Sequence, residues 1–374
     1  MKKNLIIIMI DGGRLDYAQN SHIFEKLKSN SCFLSQSITY APHTIAAMHA
    51  TFSGSYGTRT GTNSYWSTNN FKKNEFKTLT EYLHENGFYT HADVLNKLIV
   101  PKQGFDEFIV HDENNDDLTL RHKDILQQTK QNCINKNYFL YLHCSVIHTG
   151  IKNEVLNVYN NYSKEFFEKR KENAERYDRL FKNAENYLEE ILNEINNLGI
   201  KDDSLILVMS DHGISVGEKF GERAYGAFCY DYTLRTFAFY FNSFEKSKLI
   251  EQQIRHVDFL PTILDDLGIP LDENFEKIDG VSLKPIIEGE SMVEKIAFSE
   301  TGNPLDSNTP PKKPNTKSIR TSKWKLIYNE YNDSKELYDL EKDPDENENL
   351  IGTGLEIEKV LWTELVRIQN GKID

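Results

Sequence analysis

The chain has 374 residues, 27% of them charged, and a formal net charge of −13. That length supports a substantial core in one large domain or two unequal ones, and the acidity argues against nucleic acid as a partner, because polyphosphate binding leaves a basic footprint. No run of about 18 apolar residues is present, so no membrane span is expected.

In chain order, Leu5-Ile6-Ile7-Ile8-Met9-Ile10 reads as a buried strand running into Asp11-Gly12-Gly13. Lys2 and Lys3 before it imitate a signal peptide, but the apolar run is too short and no small-residue cleavage site follows. A helix is expected near 21–29. Pro42 then breaks regular structure, and Ile45 to Ser53 reads as a helix ending at Gly54. Thr44 falls at or near its N-cap, where a hydroxyl faces the positive end of the helix dipole. Helical segments near 76–86 and 119–132 alternate with strands at 88–94 and 138–144. The segment 163–198 carries apolar positions such as Tyr177, Leu180, Phe181, Ala184, Tyr187, Leu188, Ile191 and Ile195, one face of a long helix. Its first part, with FFEKRKEN, reads as a solvated face or a mobile lid.

Strands follow at 204–210 and 237–241, and LILVMSDHG ends an apolar run in Asp211-His212-Gly213. Carboxylates at the C-terminal ends of two apolar strands lie where open α/β sheets bind ligands. Residues 301–317, with Pro304, Pro310, Pro311 and Pro314, read as a linker or a loop over the site. SIRTSKWKLIYN and KELYDL read as a hairpin, and a terminal helix lies near 355–369. The alternation predicts a sheet covered on both faces by helices. Cys32, Cys133, Cys144 and Cys229 lack metal-clip spacing and are too few for a disulfide scaffold, so they read as buried small hydrophobes in a reducing cytoplasm.

These segments together resemble the alkaline phosphatase and sulfatase superfamily. The resemblance rests on the Asp11 strand, on APHTIAAMHATFSGSYGTRTG (41–61) at the nucleophile motif, and on YLHCSVIHTG (141–150). It continues through Asp211-His212-Gly213, GEKFGERAYGAFCYDYTLRTFAFYF (217–241), HVDFLPTILDDLGIP (256–270) and the C-terminal WKLIYN and ELYDLEKDPDENENL. It implies an α/β fold, a large mixed sheet sandwiched by helices, closed by a small antiparallel sheet plus helix. A catalytic domain over 1–300 and a smaller C-terminal subdomain over 301–374 are expected.

The resemblance also implies a site. Asp11, Thr44, Asp211 and His212 are assigned to one divalent metal, with Thr44 as nucleophile; an imidazole shifts the preference from calcium towards zinc or manganese. His148 is assigned as a substrate-oxygen donor, a second-metal ligand or an activator of the hydrolytic water, whereas His143 reads as structural. Lys97, Lys219, Arg223 and His256 are expected to bind substrate, and Arg59 is a further candidate cation. A second metal is not expected, because Cys144 stands where two-metal relatives have a carboxylate. Sulfatases need a Cys or Ser convertible to formylglycine, with Pro two and Arg four residues on. Here Thr44, Ala46 and Met48 occupy those positions, and a threonine cannot be converted that way.

The expected activity is therefore hydrolysis of a phosphate ester, a diester or a phosphorylated sugar or glycerol, with sulfate a lesser choice. A phosphoryl-transferring mutase or headgroup transferase keeps the same site; a non-catalytic binding protein keeps only the fold. The partner implied is a small anionic ester, without nucleic acid or membrane, and a homo-oligomer is compatible with the chain.

Overall fold

The computed structural model describes residues 3–242, 247–305 and 309–372; Lys2 and positions 306–308 of the proline-rich stretch lie outside the described residues. The main sheet is built from β1 (Asn4–Ile10), β2 (Cys32–Ile38), β3 (Tyr89–Val94), β4 (Glu107–Val110), β5 (Tyr138–Cys144), β6 (Ser204–Ser210), β7 (Arg235–Phe241), β8 (Lys248–Ile250) and β9 (Ile254–Arg255). Its order is β4-β3-β5-β1-β6-β7-β2-β8, with β9 also on β2. The first five run parallel, and β7 is antiparallel to both β6 and β2.

β1 carries no polar face because both its faces are covered. Leu5, Ile7 and Met9 join Met48 and Phe52 of the helix Thr44–Ser53 on one side. Ile6, Ile8 and Ile10 join Tyr177, Leu188 and Ile191 of the helix Arg170–Asn197 on the other. Parallel strands sandwiched in this way lose the period-2 pattern and read as continuous apolar runs.

The predicted strands and the helices at 44–53, 118–132 and 356–369 are present. The lid is not. Phe166 is buried in the core, and the Asn173 carboxamide donates to the carbonyls of Phe166 and Val216. Burying one such ring contributes about 1.5–3 kcal/mol, enough to dock a segment that its charges alone would leave in solvent. Sequence reading also passed over β2, whose CFLSQSI mixes Ser and Gln with apolar residues. Its register against β7 shifts between Leu34 and Ser37, which obscures the alternation.

A second sheet, antiparallel in the order β10-β11-β12-β13, comprises β10 (Ala297–Thr301), β11 (Thr316–Arg320), β12 (Trp324–Asn329) and β13 (Ser334–Asp339). The helix Glu356–Gln369 packs on it through Leu361 and Leu365. The sheet docks onto the larger one where the Glu300 amide donates to the Tyr40 carbonyl and the Ser299 hydroxyl to that of Thr39. Beneath β11 and β12, Arg320 and Lys325 converge on Asp231, each at 2.8 Å. Among the described residues no helix is long and apolar enough to cross a membrane.

Candidate metal centre

β1 and β6 are neighbours with Ile10 opposite Ser210, so Asp11 and Asp211 leave the sheet side by side at its carboxyl edge. Gly12 turns the chain there at φ +77°, and its amide donates to Asp211 Oδ1 at 3.0 Å, as does the amide of His212 at 2.9 Å. At Gly213 a Cβ would stand 2.1 Å from the Tyr232 carbonyl oxygen. Only glycine lets the chain leave the Asp-His pair in this direction.

Thr44 reaches the same point from the opposite element. His43 is the N-cap and Thr44 the first residue of its helix. Its Oγ1 lies 3.3 Å from Asp11 Oδ2 and 3.3 Å from His212 Nε2. His212 Nε2 is 3.4 Å from Asp211 Oδ2 and 3.7 Å from Asp11 Oδ1. Nδ1 of His212 faces the Gly213 carbonyl at 2.8 Å; a carbonyl can only accept, so Nδ1 carries the proton and Nε2 turns its lone pair inward.

Asp11 Oδ1 and Asp211 Oδ2 are buried without a hydrogen-bond partner. Two unpartnered carboxylate oxygens, an imidazole lone pair and a hydroxyl, all buried, form a donor set that fits a small divalent cation. Donors sharing one tetrahedral ion at about 2.0–2.1 Å stand about 3.3–3.4 Å apart, and His212 Nε2 stands at that distance from both Thr44 Oγ1 and Asp211 Oδ2, with Asp11 Oδ1 farther off at 3.7 Å. Without a cation the pair is in conflict. Burial would raise both carboxyls; His148 and His143 hold Asp11 well below the usual range, while Asp211, which His212 pulls down less than burial and Asp11 push it up, ends above it.

His148, in the helix Val146–Ile151, places Nδ1 3.6 Å from Asp11 Oδ2, with no hydrogen-bond partner. Burial lowers its pKa, but Asp11 more than offsets this and leaves it above the ordinary histidine value. His143, read as structural, is in fact in the cluster: its Nε2 lies 3.0 Å from Asp11 Oδ2, and its Nδ1 accepts the Leu95 amide at 3.4 Å. The signal lay in its place as the penultimate residue of β5, level with Met9 at the sheet edge that delivers Asp11.

The four residues expected to bind substrate do not meet the cluster. Lys219 is drawn to the Glu346 carbonyl and over the Tyr230 ring, because the C-terminal segment passes there. His256 is buried against Phe259, with Nε2 2.8 Å from the Thr236 hydroxyl. Lys97 is exposed on the loop after β3, with no hydrogen bond or ion pair to the cluster. Arg223 lines a neighbouring cleft, donating to Asn161 Oδ1 at 2.6 Å. Arg59 is likewise engaged elsewhere, 3.2 Å from Asp279. In their place stand two tyrosines that sequence reading missed. Tyr225 lies 4.7 Å from the His212 ring and 6.2 Å from that of His148, and Tyr65 stacks on His43 at 4.2 Å. Tyr65 sits in no recognisable spacing, whereas Tyr225 lies inside the matched segment 217–241, which marked the stretch of chain but not the residue.

A second buried group, Asp93, His111 and His122, lies behind β5. His111 Nδ1 is 2.6 Å from Asp93 Oδ1, closer than two donors sharing an ion. Ser145, Tyr187 and Arg121 occupy its remaining atoms. It is a closed hydrogen-bond network.

A family model described as Sulfatase matches residues 3–269, and one described as N-sulphoglucosamine sulphohydrolase, C-terminal, matches 226–371. A choline-sulfatase of Rhizobium meliloti is 29% identical over 202 residues, 49% of this chain and 35% of the relative. An N-acetylglucosamine-6-O-sulfatase of Bacteroides thetaiotaomicron is 30% identical over 173 residues, 43% of this chain and 29% of the relative. The chain thus spans about a third of the length of the curated relatives it matches. Among solved structures, a phosphonate monoester hydrolase of Silicibacter pomeroyi superposes with TM-score 0.78 at 14% identity, covering 100% of this chain and 96% of the other. BT4656, solved with its substrate D-glucosamine-2-N,6-O-disulfate, gives 0.75 at 18%, covering 99% and 98%. At these identities the superpositions establish the fold.

Proposed function

The chain belongs to the sulfatase family, and from that membership together with the site's geometry we propose that it is a metal-dependent hydrolase cleaving a phosphate ester through Thr44. The observation that carries this reading is the Thr44 hydroxyl, 3.3 Å from both Asp11 and His212, between two buried carboxylate oxygens that lack partners.

A divalent cation, zinc or manganese in preference to calcium, held by Asp11, Thr44, Asp211 and His212, would acidify the hydroxyl and offset the charge of the transferred group. Thr44 gives up its proton to solvent and attacks phosphorus in line. The Oγ–P bond forms as the bond to the leaving oxygen breaks, and that oxygen takes a proton from His148. His148, now neutral, accepts a proton from water, which attacks the phosphothreonine and frees Thr44 with release of the phosphate product.

Phosphate is favoured over sulfate because formylglycine chemistry needs a Cys or Ser where Thr44 stands. Met48, where sulfatases have Arg, is fully buried with Phe52 in the apolar core, an environment that would leave a guanidinium unpaired. Sulfate is the second reading, carried by the sulfatases among the relatives.

Elemental analysis, paired with Thr44→Ala assayed on an aryl phosphate monoester, diester and sulfate, tests both. The expected result is stoichiometric metal and a loss of phosphate-ester turnover of roughly 10³-fold or more in the variant. Thr44-dependent turnover of the sulfate alone would favour the second reading. No metal and no turnover on any ester would overturn the proposal.

A further inference from the structure

We propose that the group esterified at this centre is a hydrocarbon chain, held in the cleft between Trp66, Leu156 and Pro310, and that the same cleft turns away sugars and quaternary ammonium groups. The proposal rests on the reading that Thr44 carries the reaction.

The cleft has a volume of about 380 Å³, enough for a small ligand. Two rings join it to the centre. Tyr65 stacks on His43, the residue before Thr44, at 4.2 Å, and Tyr225 lies 4.7 Å from the His212 ring and 6.2 Å from that of His148. Both line the cleft, and beyond them its walls are Trp66, Leu156 and two members of the proline-rich stretch, Pro304 and Pro310.

The hydroxyls of a sugar need acceptors, and these walls have few to offer. Among the described residues, none that lines the cleft is acidic. Asn161 Oδ1 and the Leu156 carbonyl accept from Arg223, the Pro310 carbonyl accepts the Trp66 indole N–H at 2.8 Å, and the Gly226 carbonyl accepts the Thr301 hydroxyl at 2.5 Å. A sugar would give up water there without replacing its hydrogen bonds. Aromatic walls alone would suit a quaternary ammonium, but Arg223, the charged residue in the lining, sets a cation beside it. A hydrocarbon meets neither obstacle.

The apolar surface continues outside the mouth. Trp66 is 55% exposed, and Leu305, which follows Pro304, is 43% exposed. Val158, two residues beyond Leu156, is 62% exposed. Phe220, at 57%, has its ring 5.8 Å from that of Tyr162, the neighbour of Asn161. Single exposed apolar residues are ordinary, whereas several gathered at one cleft mark a contact. A chain longer than the cleft would continue onto them.

Methyl-, butyl- and hexylphosphonate carry one head on lengthening chains, and their binding to the metal-loaded protein is measured by calorimetry beside a glucosyl phosphonate and 2-(trimethylammonio)ethylphosphonate. Affinity is expected to rise about threefold for each methylene buried, with the glucosyl and trimethylammonio compounds no tighter than methylphosphonate. Trp66→Ser should lower the ratio of hexyl to methyl affinity by about threefold or more, and Trp66→Leu should restore most of it. A flat chain-length series, or a glucosyl or trimethylammonio compound that binds as tightly as hexylphosphonate, overturns the proposal. Sedimentation with phosphatidylcholine vesicles, lost in Phe220→Ser, would assign the chain to a lipid layer; a chain-length series without sedimentation would assign it to a dissolved amphipath. Failure of the underlying reading looks different, since hexanol would then bind as well as hexylphosphonate and removal of the metal would change neither.

Discussion

At the scale of single residues, the centre depends on contacts that fix the turn after Asp11. The Tyr177 hydroxyl donates to the Gly12 carbonyl at 2.7 Å and accepts the Arg14 amide at 2.8 Å, clamping the turn from the far side of the sheet. Tyr177→Phe would leave that carbonyl and amide buried without partners, at a cost of roughly 1–3 kcal/mol each before relaxation. The expected outcome is a destabilisation of about 1–3 kcal/mol in urea unfolding, with weaker metal retention than the parent. Unchanged values of both would mean that the turn holds itself. Much at this scale was legible. Asp11, Thr44, Asp211 and His212 converge from positions as far apart as 11 and 212, because strand ends announce themselves in sequence. The contact of His143 with Asp11 was not legible, because a histidine inside an apolar strand gives no sign of which way it faces.

At the scale of elements, the small sheet is fastened by buried charge. Asp231 accepts from Arg320 and Lys325, and Lys325 also meets Glu346 at 2.8 Å. Lys325 has no exposed side-chain surface, so its charge depends wholly on these acids. Asp231→Ala would leave Arg320 without its carboxylate and Lys325 with Glu346 alone, and should destabilise the protein by about 3–5 kcal/mol, far more than a surface pair. A loss below about 1 kcal/mol would show that Glu346 alone suffices. This network also explains why Lys219 was misplaced. Its motif position suggested the site, but the segment carrying Glu346 passes over it and takes its ammonium group. Motif spacing reports the backbone path and leaves open what another element puts in reach.

At the scale of the whole molecule, deeply buried carboxyls shape the pH response, Glu346 among them, which burial pushes up to about 7 against the pull of Lys325. Burial pushes Glu222 up to about 7 against the pull of the Tyr232 hydroxyl and the Phe228 and Ala227 amides, and it pushes Glu300 up to about 7 against that of Tyr40. In the unfolded chain each titrates near 4.5. Between those values the folded state keeps protons that the unfolded state has lost, so stability falls as pH rises through that window. Asp231, held well below the carboxylate range by Arg320 and Lys325 despite burial, acts in the opposite sense, and its contribution is lost only at lower pH. The metal-free protein should therefore melt at lower temperature at about pH 7 than at about pH 5, each glutamate accounting for about 2 kcal/mol. Glu222→Gln should flatten that slope. A melting temperature that rises across the window would contradict it.

The sequence alone determined the strand edge, the helix that presents Thr44, and the four residues brought together there. Each is a local matter of apolar runs, caps and glycines, and family resemblance fixed their order. The tertiary structure alone decided which outlying residues reach the centre. His143 enters it through the register of β5, and Tyr65, at the start of the 3-10 helix Tyr65–Asn70, and Tyr225 flank it from separate parts of the chain. Lys97, Lys219, Arg223 and His256 stay away from the four residues because other partners or the surface hold them. A long side chain goes to the nearest complementary group in space, and sequence spacing does not specify that neighbour.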